Sequence, residues 1–268
     1  MGITRALAAL LALPLLIAGC AGEGVFTSSG LTTDDLPEAA DAAQPAQGSA
    51  TKTADGSFNP FDPPPSVPPG AREVIKDPTI ADVMQTGALP EMAFGRADAP
   101  VTIVKYASLT CPYCRGFHKD TFPKLKKEYI DTGKVRFIIR EFPIGKTSGA
   151  ATIGLRCAKP EKYLELYGKF LEQQPAWVSQ EVRLDPIFKV ASQVGMTRQQ
   201  FDACRENQAM IDGLKWVKDR GRTLGVIGTP NFFVGSTLVK KVLTIEEIRT
   251  MVEPLLKARA TAAAGGSN

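Results

Sequence analysis

The sequence predicts an α/β fold in which a small mixed β-sheet is flanked by helices and carries a helical insertion. A strand, a helix and a second strand follow one another over residues 101–142, and this order implies a parallel strand pair. Helical patterns alone then occupy about residues 147–224. Two short strands and a final helix close the chain, so the sheet is completed only after the insertion.

The first three elements have clear boundaries. The first strand is predicted at 101–106 (VTIVKY), and the helix after it begins at Cys111 or Pro112 and runs to about Tyr129. A run of apolar and β-branched residues predicts the second strand at 135–142 (VRFIIREF).

The insertion is divided into helices by Pro160, Pro175 and Gly195, which interrupt the helical patterns. Five helices are predicted there, at 148–158, 162–172, 184–194, 198–206 and 209–224.

The last part of the chain returns to β structure. Strands are predicted at 230–234 and, after a Gly-Ser turn, at 237–242. The final helix is predicted over about 244–257, because Thr244 followed three residues later by Glu247 is a capping-box pattern.

Composition and charge exclude several classes of protein. The chain has 268 residues, of which 44% are hydrophobic and 22% charged, so it is neither fibrous nor mostly disordered. A formal charge of +4 falls well short of the basic domains that bind nucleic acid, and no nucleic-acid partner is predicted. Five cysteines form an odd number, so at least one has a role other than pairing within the chain.

The N-terminus carries an export signal. Arg5 precedes an apolar run at 6–18 that is too short to span a bilayer. The run ends in LIAGC at Cys20, which resembles the lipobox of bacterial lipoproteins and predicts a signal peptide at 1–20 with Cys20 lipidated after cleavage. Because Ala21 stands where such lipoproteins carry Asp for inner-membrane retention, the outer membrane is slightly favoured. The alternative is an ordinary secretory signal that releases a soluble protein.

A linker separates this signal from the folded domain. Residues 21–70 are rich in Ala, Gly, Ser, Asp and Pro and show no apolar periodicity, so we expect them to be disordered. Their function would be that of a spacer, and the alternative is a degenerate tail. The domain at 71–268 carries 30 Lys and Arg against 21 Asp and Glu, a charge of +9.

A pair of cysteines directly follows the first strand. The sequence Cys111-Pro112-Tyr113-Cys114 opens a helix, and this context favours a redox motif over half of a metal site. Free backbone N–H groups and the helix dipole would stabilise the Cys111 thiolate, while Pro112 suits the first turn. Cys114 should be buried and react second, and Tyr113 lies at the rim of the site. Thiol–disulfide exchange requires such an accessible thiolate and a second thiol that can form a disulfide with it.

The motifs at 99–104, at Cys111–Cys114 and at 228–235 (GTPNFFVG) together resemble the DsbA-like, thioredoxin-fold thiol–disulfide oxidoreductases of bacterial envelopes. The resemblance covers about residues 90–258. It implies that Pro230 is cis and lies beside the reactive disulfide, and that Thr229 pairs through its backbone with the substrate peptide. Glutaredoxins share CPYC but are smaller and lack the insertion.

One residue departs from the family pattern. Thioredoxin-fold enzymes often carry a buried acid six residues before the first cysteine, where this chain has Lys105. Lys105 either points towards the cysteines, where its charge would stabilise a thiolate, or reaches the surface. The histidine His118 lies on the same helix face as the cysteines, and packing is favoured over a role as a base.

The remaining cysteines, Cys157 and Cys204, fall in two helices of the insertion. In an exported protein they most simply form a structural disulfide, and some DsbA-like proteins carry one there. Buried free thiols and a relay to the Cys111–Cys114 pair are the alternatives. Zinc is disfavoured because neither cysteine has a second ligand nearby.

These features predict a lipid-tethered envelope oxidase that forms disulfides in exported proteins and is reoxidised by a membrane redox partner. The Cys111–Cys114 disulfide is its redox group, and no further cofactor is expected. A monomer is favoured because the linker does not resemble a dimerisation domain. The alternatives are a disulfide reductase or isomerase and a metallochaperone that binds Cu(I) through the two thiolates.

Overall fold

The computed structural model describes residues 74–265. The predicted signal peptide at 1–20, including Cys20, and the whole of the predicted linker at 21–70 lie outside the described residues. Within residues 74–265, none of the helices combines the length and the apolarity needed to cross a bilayer.

Five strands lie in the described part of the chain: β1 (Met92–Phe94), β2 (Val101–Ala107), β3 (Val135–Glu141), β4 (Asn231–Val234) and β5 (Thr237–Val239). The helices that accompany them are α1 (Ile80–Met84), α2 (Pro112–Asp120), α3 (Phe122–Leu125), α4 (Lys146–Arg156), α5 (Tyr163–Glu172), α6 (Gln174–Trp177), α7 (Leu184–Ala191), α8 (Arg198–Arg205), α9 (Gln208–Thr223) and α10 (Ile245–Gly265).

The strands form one mixed sheet in the order β1-β3-β2-β4-β5. The parallel pair predicted at its centre is confirmed, with Val101 opposite Val135 and Ala107 opposite Glu141. Most residues of β2 and β3 are buried, as expected of central strands covered by helices on both faces. The predicted α/β fold with a small mixed sheet is therefore confirmed.

The direction of β4 determines where the reactive segments meet. β4 pairs antiparallel with β2, and Tyr106 lies opposite Asn231. The residues before Asn231 therefore lie beside the residues that follow β2. This register brings the Thr229–Pro230 segment and Cys111 to the same edge of the sheet, although they are far apart in sequence.

The helix predicted from Pro112 to about Tyr129 is interrupted. α2 ends at Asp120, α3 begins at Phe122, and a π-helical turn follows at Lys126–Ile130. Pro123 lacks an N–H group, so one hydrogen bond of the helical ladder is missing at this point. The Thr121 hydroxyl donates to the Leu243 carbonyl at 3.1 Å, which ties the junction to the loop before α10.

Two boundaries near the C-terminus also differ from the sequence prediction. The last strand stops at Val239 because the lysines after it are exposed and do not pair. α10 continues past Lys257 to Gly265, since the alanine-rich sequence there favours a helix. The predicted capping box is present, with the Thr244 hydroxyl accepting from the Glu247 amide at 3.2 Å.

Between β3 and β4 the described chain contains helices and no strand. α4 and α8 are joined by a disulfide between Cys157 and Cys204, whose Cα atoms lie 6.1 Å apart. Apolar residues of the helices share one core with the face of the sheet that α2 covers. The helices between β3 and β4 therefore also support α2.

Candidate active site

Cys111 is the N-cap of α2, and its sulfur accepts a hydrogen bond from the Cys114 amide at 3.3 Å. Pro112 occupies the first turn, where the N–H group it lacks has no helical partner. Cys114 lies one turn further and is buried, whereas Tyr113 between them is 67% exposed. Both cysteines are free thiols, so the structure shows the reduced pair.

The Thr229–Pro230 peptide bond is cis, as the resemblance implies, and it lies directly beside Cys111. The Cys111 thiol donates to the Thr229 carbonyl across 3.1 Å. The Thr229 hydroxyl is buried and has no hydrogen-bond partner within the described residues. It is therefore available to the sulfur when Cys111 becomes a thiolate and no longer donates.

These contacts make Cys111 acidic. A hydrogen bond from the Cys114 thiol is the largest cause that lowers the pKa of Cys111, from 9.0 to about 6. Partial burial opposes the shift, while the Thr229 side chain and the amides of Cys114 and Tyr113 add to it. At neutral pH Cys111 is thus mostly a thiolate, the form that takes part in exchange.

The pKa of Cys114 is shifted in the opposite direction. Burial raises the pKa of Cys114 well above its ordinary value, and its hydrogen bond to Cys111 raises it further. The charge of Lys105 opposes both effects. The reduced pair therefore consists of one thiolate at the surface and one thiol in the core, and the two sulfurs differ in accessibility as well as in acidity.

The surface alternative for Lys105 is wrong, because this side chain is only 1% exposed. Its Nζ donates to the Tyr167 hydroxyl at 3.1 Å and lies 4.4 Å from the centre of the Phe117 ring. Burial lowers the pKa of Lys105 to about 8, and negative charge on Cys114 and Cys111 limits that fall.

His118 packs between aromatic rings. It stacks on Phe122 with 5.3 Å between ring centres and meets Tyr167 edge-on at 5.5 Å. Burial lowers the pKa of His118 to about 4, and the charge of Lys105 adds to the effect. Neutral imidazole in this position supports the packing interpretation.

Gln174 is a site residue that the sequence did not indicate. Its Nε2 donates to the carbonyls of Leu109 at 2.7 Å and Cys111 at 3.0 Å, which ties α6 to the loop before α2. Ser108 at the start of the same loop shares a 2.7 Å hydrogen bond with Ser148 of α4. A glutamine before Pro175 in a four-residue helix gives no recognisable sequence signal.

Exposed apolar side chains lie near Cys111. Besides Tyr113, Ile144 is 50% and Ile227 is 78% exposed, and both line a groove with Val226. Thr110, directly before Cys111, contacts the Ile144 carbonyl at 3.5 Å. Ile144, which lines the groove, therefore contacts the residue before Cys111, and the groove presents exposed apolar side chains.

The arrangement supports exchange between a thiolate and a disulfide. Cys111 can be attacked at the surface, and Cys114 can close or open the internal disulfide from below. Among residues 74–265, no three His, Cys, Asp or Glu side chains come together as a metal site.

We expect Cys111 in the reduced protein to titrate with a midpoint near pH 6, and the ultraviolet absorbance of the thiolate measures this transition. Because this pKa is below the unfolded value, the associated stabilisation of the folded reduced protein is complete above about pH 9 and is lost as the pH falls through about 6. Cys111→Ala should remove the transition, and a midpoint near pH 9 would contradict the hydrogen bonding described.

Comparison with known proteins agrees with this chemistry. A family model described as Thioredoxin matches residues 88–254, which is more than half of the chain. A Rickettsia felis protein named "Putative protein-disulfide oxidoreductase" is 29% identical, with 72% of this chain and 69% of the relative covered. Disulfide bond formation protein D of Bacillus subtilis is 26% identical, with 62% and 77% covered.

Solved structures show the same fold. The crystal structure of Wolbachia pipientis alpha-DsbA1 aligns with a TM-score of 0.62 at 23% identity, covering 68% of this chain and 99% of that one. This likeness and the family match agree on the fold. The chain belongs to the thioredoxin family and is a DsbA-like thiol–disulfide oxidoreductase.

Proposed function

We propose that the chain is an oxidase that transfers its Cys111–Cys114 disulfide to exported proteins. The observation that carries this is the thiolate character of Cys111, whose pKa lies at about 6. A stabilised thiolate favours the reduced form of the pair, so the disulfide is readily given up. The same stabilisation would weaken the protein as a reductase.

The reaction would proceed in two exchanges. A substrate thiolate attacks the Cys111 sulfur, a mixed disulfide forms, and Cys114 leaves as the reduced sulfur. A second substrate thiolate then attacks the substrate sulfur of the mixed disulfide, which completes the substrate disulfide and releases Cys111 as a thiolate. Two electrons pass from the substrate thiols to the cysteine pair, and a membrane partner must remove them again.

The surface around Cys111 suits an unfolded chain as substrate. Ile144 and Ile227 offer apolar contacts on one side, and the backbone of Thr229 can pair with a peptide beside the sulfur. Such contacts discriminate little between sequences, which fits a protein that acts on many exported substrates.

Replacing Ile227 with aspartate should lower kcat/KM for oxidation of a reduced peptide about tenfold, because an apolar contact of about 1.4 kcal/mol is lost. Oxidation of reduced glutathione should change little, since so small a thiol does not fill the groove. Leu255→Asp, at a residue that is 38% exposed on α10, is the matched control and should leave both reactions unchanged. Equal losses with peptide and glutathione would contradict this role of the groove.

We propose that the protein lies in the cell envelope and is attached to a membrane, with the outer membrane slightly favoured, through a lipid on Cys20. We also propose that its catalytic domain is a monomer. Arg5, the apolar run at 6–18 and the lipobox at Cys20 support the proposal. Mass spectrometry of the mature N-terminus tests it. An N-terminus beyond Cys20, or an unmodified Cys20, would remove the tether without affecting the proposed chemistry.

The proposed direction of reaction can be tested with reduced, unfolded ribonuclease. Mixing it with the oxidised protein should form one substrate disulfide for each Cys111–Cys114 disulfide consumed. If the thiols of ribonuclease stayed reduced while the reduced protein cleaved the disulfides of insulin, the protein would be a reductase or isomerase instead.

A further inference from the structure

Lys105 lies in the middle of β2 with its side chain enclosed by the core. The Tyr167 hydroxyl accepts its hydrogen bond at 3.1 Å, and the rings of Phe117 and Tyr167 lie 4.4 Å and 5.5 Å from Nζ. Across residues 74–265, no carboxylate forms an ion pair with this lysine. A buried ammonium without a counter-charge is costly, so its protonation depends on what charge is nearby.

Four elements supply the surroundings of Lys105. The flanking strands contribute apolar residues at the paired positions, Ile139 of β3 and Phe232 of β4. The titratable groups that act on Lys105 or are affected by it are Cys111, Cys114 and His118 from α2, together with Tyr167 from α5. Of these, Cys111 is the group that carries negative charge near neutral pH, and it does so only when it is reduced.

We propose that Lys105 takes up a proton when the Cys111–Cys114 pair is reduced and releases it when the pair is oxidised. The proposal rests on the exchange reaction assigned to the pair and adds a proton-linked positioning residue to it. In the reduced state a thiolate provides the counter-charge for the ammonium. In the oxidised state that charge is gone, and the neutral amine is favoured.

The reaction balances with this proton included. Two substrate thiols and the protein disulfide, with Lys105 as the neutral amine, give a substrate disulfide, a Cys111 thiolate, a Cys114 thiol and Lys105 as the ammonium. The substrate is oxidised by two electrons and the cysteine pair is reduced by two. Of the two protons that leave the substrate thiols, one is on Cys114 and the other is on Lys105.

The acidities agree with this scheme. With the cysteines reduced, the pKa of Lys105 is about 8 because burial lowers it while the charges of Cys114 and Cys111 raise it. Closing the disulfide removes the two raising contributions, so the pKa falls further. His118, with a pKa of about 4, is neutral in both states and contributes no proton near neutral pH.

The charge of Lys105 also acts on the buried sulfur. It lowers the pKa of Cys114, opposing the rise that burial causes. In the reduced state, where Lys105 is the ammonium, Cys114 is therefore more readily deprotonated when the disulfide closes again. A buried acid at this position would have the opposite electrostatic effect on Cys114 when ionised.

The test is the pH dependence of the equilibrium with glutathione between about pH 6.5 and 7.5, with the equilibrium constant written for the glutathione thiolate. In this range Cys111 is ionised, so reduction of the wild type should take up about two protons, one at Cys114 and one at Lys105. The equilibrium constant for reduction should then fall about a hundredfold per pH unit. In Lys105→Met it should fall about tenfold, and Lys119→Met, which removes an exposed lysine from α2, should behave as wild type.

A one-proton dependence in the wild type would overturn the proposal, and this result does not depend on whether a variant folds. Equal dependences in wild type and a folded, active Lys105→Met would overturn it as well. If the wild type did not exchange with glutathione at all, the proposed function itself would fail, which is a different outcome.

Discussion

Replacing Cys111 with alanine is expected to reduce disulfide exchange to the rate seen without protein, because no other free thiol in the described residues reaches the surface of the site. Cys114 is buried, and burial raises the pKa of its thiol well above the ordinary value. Without Cys111 there is no internal disulfide to transfer, and the buried Cys114 cannot replace Cys111 in the mixed disulfide with the substrate. The measurement is the rate of oxidation of a reduced peptide, with the Cys157→Ala/Cys204→Ala double variant as the control that keeps its activity.

Replacing Cys114 with alanine should give a different result. Cys111 can still attack a disulfide, but nothing resolves the intermediate, so mixed disulfides should accumulate and be visible as covalent adducts that thiols reverse. Retained peptide oxidation by Cys111→Ala, or adducts at a residue other than Cys111 in Cys114→Ala, would place the reacting sulfur elsewhere.

Removing the disulfide between Cys157 and Cys204 is expected to lower the free energy of unfolding by about 4 kcal/mol. The bridge spans a sequence separation of 47 residues, and closing a loop of that length restricts the unfolded chain by about this amount. The Cys157 sulfur also packs 3.8 Å from the sulfur of Met210. Denaturant unfolding of Cys157→Ala/Cys204→Ala, with Cys111 and Cys114 kept reduced in both proteins, measures the effect.

The double variant is used because a single substitution would leave a thiol free to exchange with Cys111. Peptide oxidation should be nearly unchanged at temperatures where the variant is folded, since the bridge joins α4 to α8 and does not touch the reactive pair. A loss of less than about 1 kcal/mol would show that the unfolded chain is already restricted without the bridge.

Local patterns predicted the reactive segment well. A strand followed by Cys111 and Cys114 at the start of a helix specifies the geometry of the N-cap over a few residues. Local patterns could not predict that Thr229 and Pro230 lie beside Cys111, because 118 residues separate Cys111 from Thr229. Only the resemblance to a family indicated this contact. The antiparallel register of β4 on β2 supplies the physical reason.

The burial of Lys105, strand β1 and the role of Gln174 could not be predicted from the sequence pattern. Lys105 lies in a strand that is buried on both faces, so the sequence shows no alternation of polar and apolar residues that would tell which face its side chain is on. The side chains that enclose it come from α2 and α5. β1 has three residues and is held by pairing with β3, which leaves no periodic signal. Gln174 binds the active-site loop from a helix of four residues.

The central claim is that Cys111 and Cys114 form an oxidising couple, and the reduction potential against glutathione tests it most directly. The acidic Cys111 predicts a value towards that of strong envelope oxidants, about −120 mV. A value near about −270 mV, which is typical of thioredoxin, would show that the disulfide is the favoured form and would contradict the assignment as an oxidase.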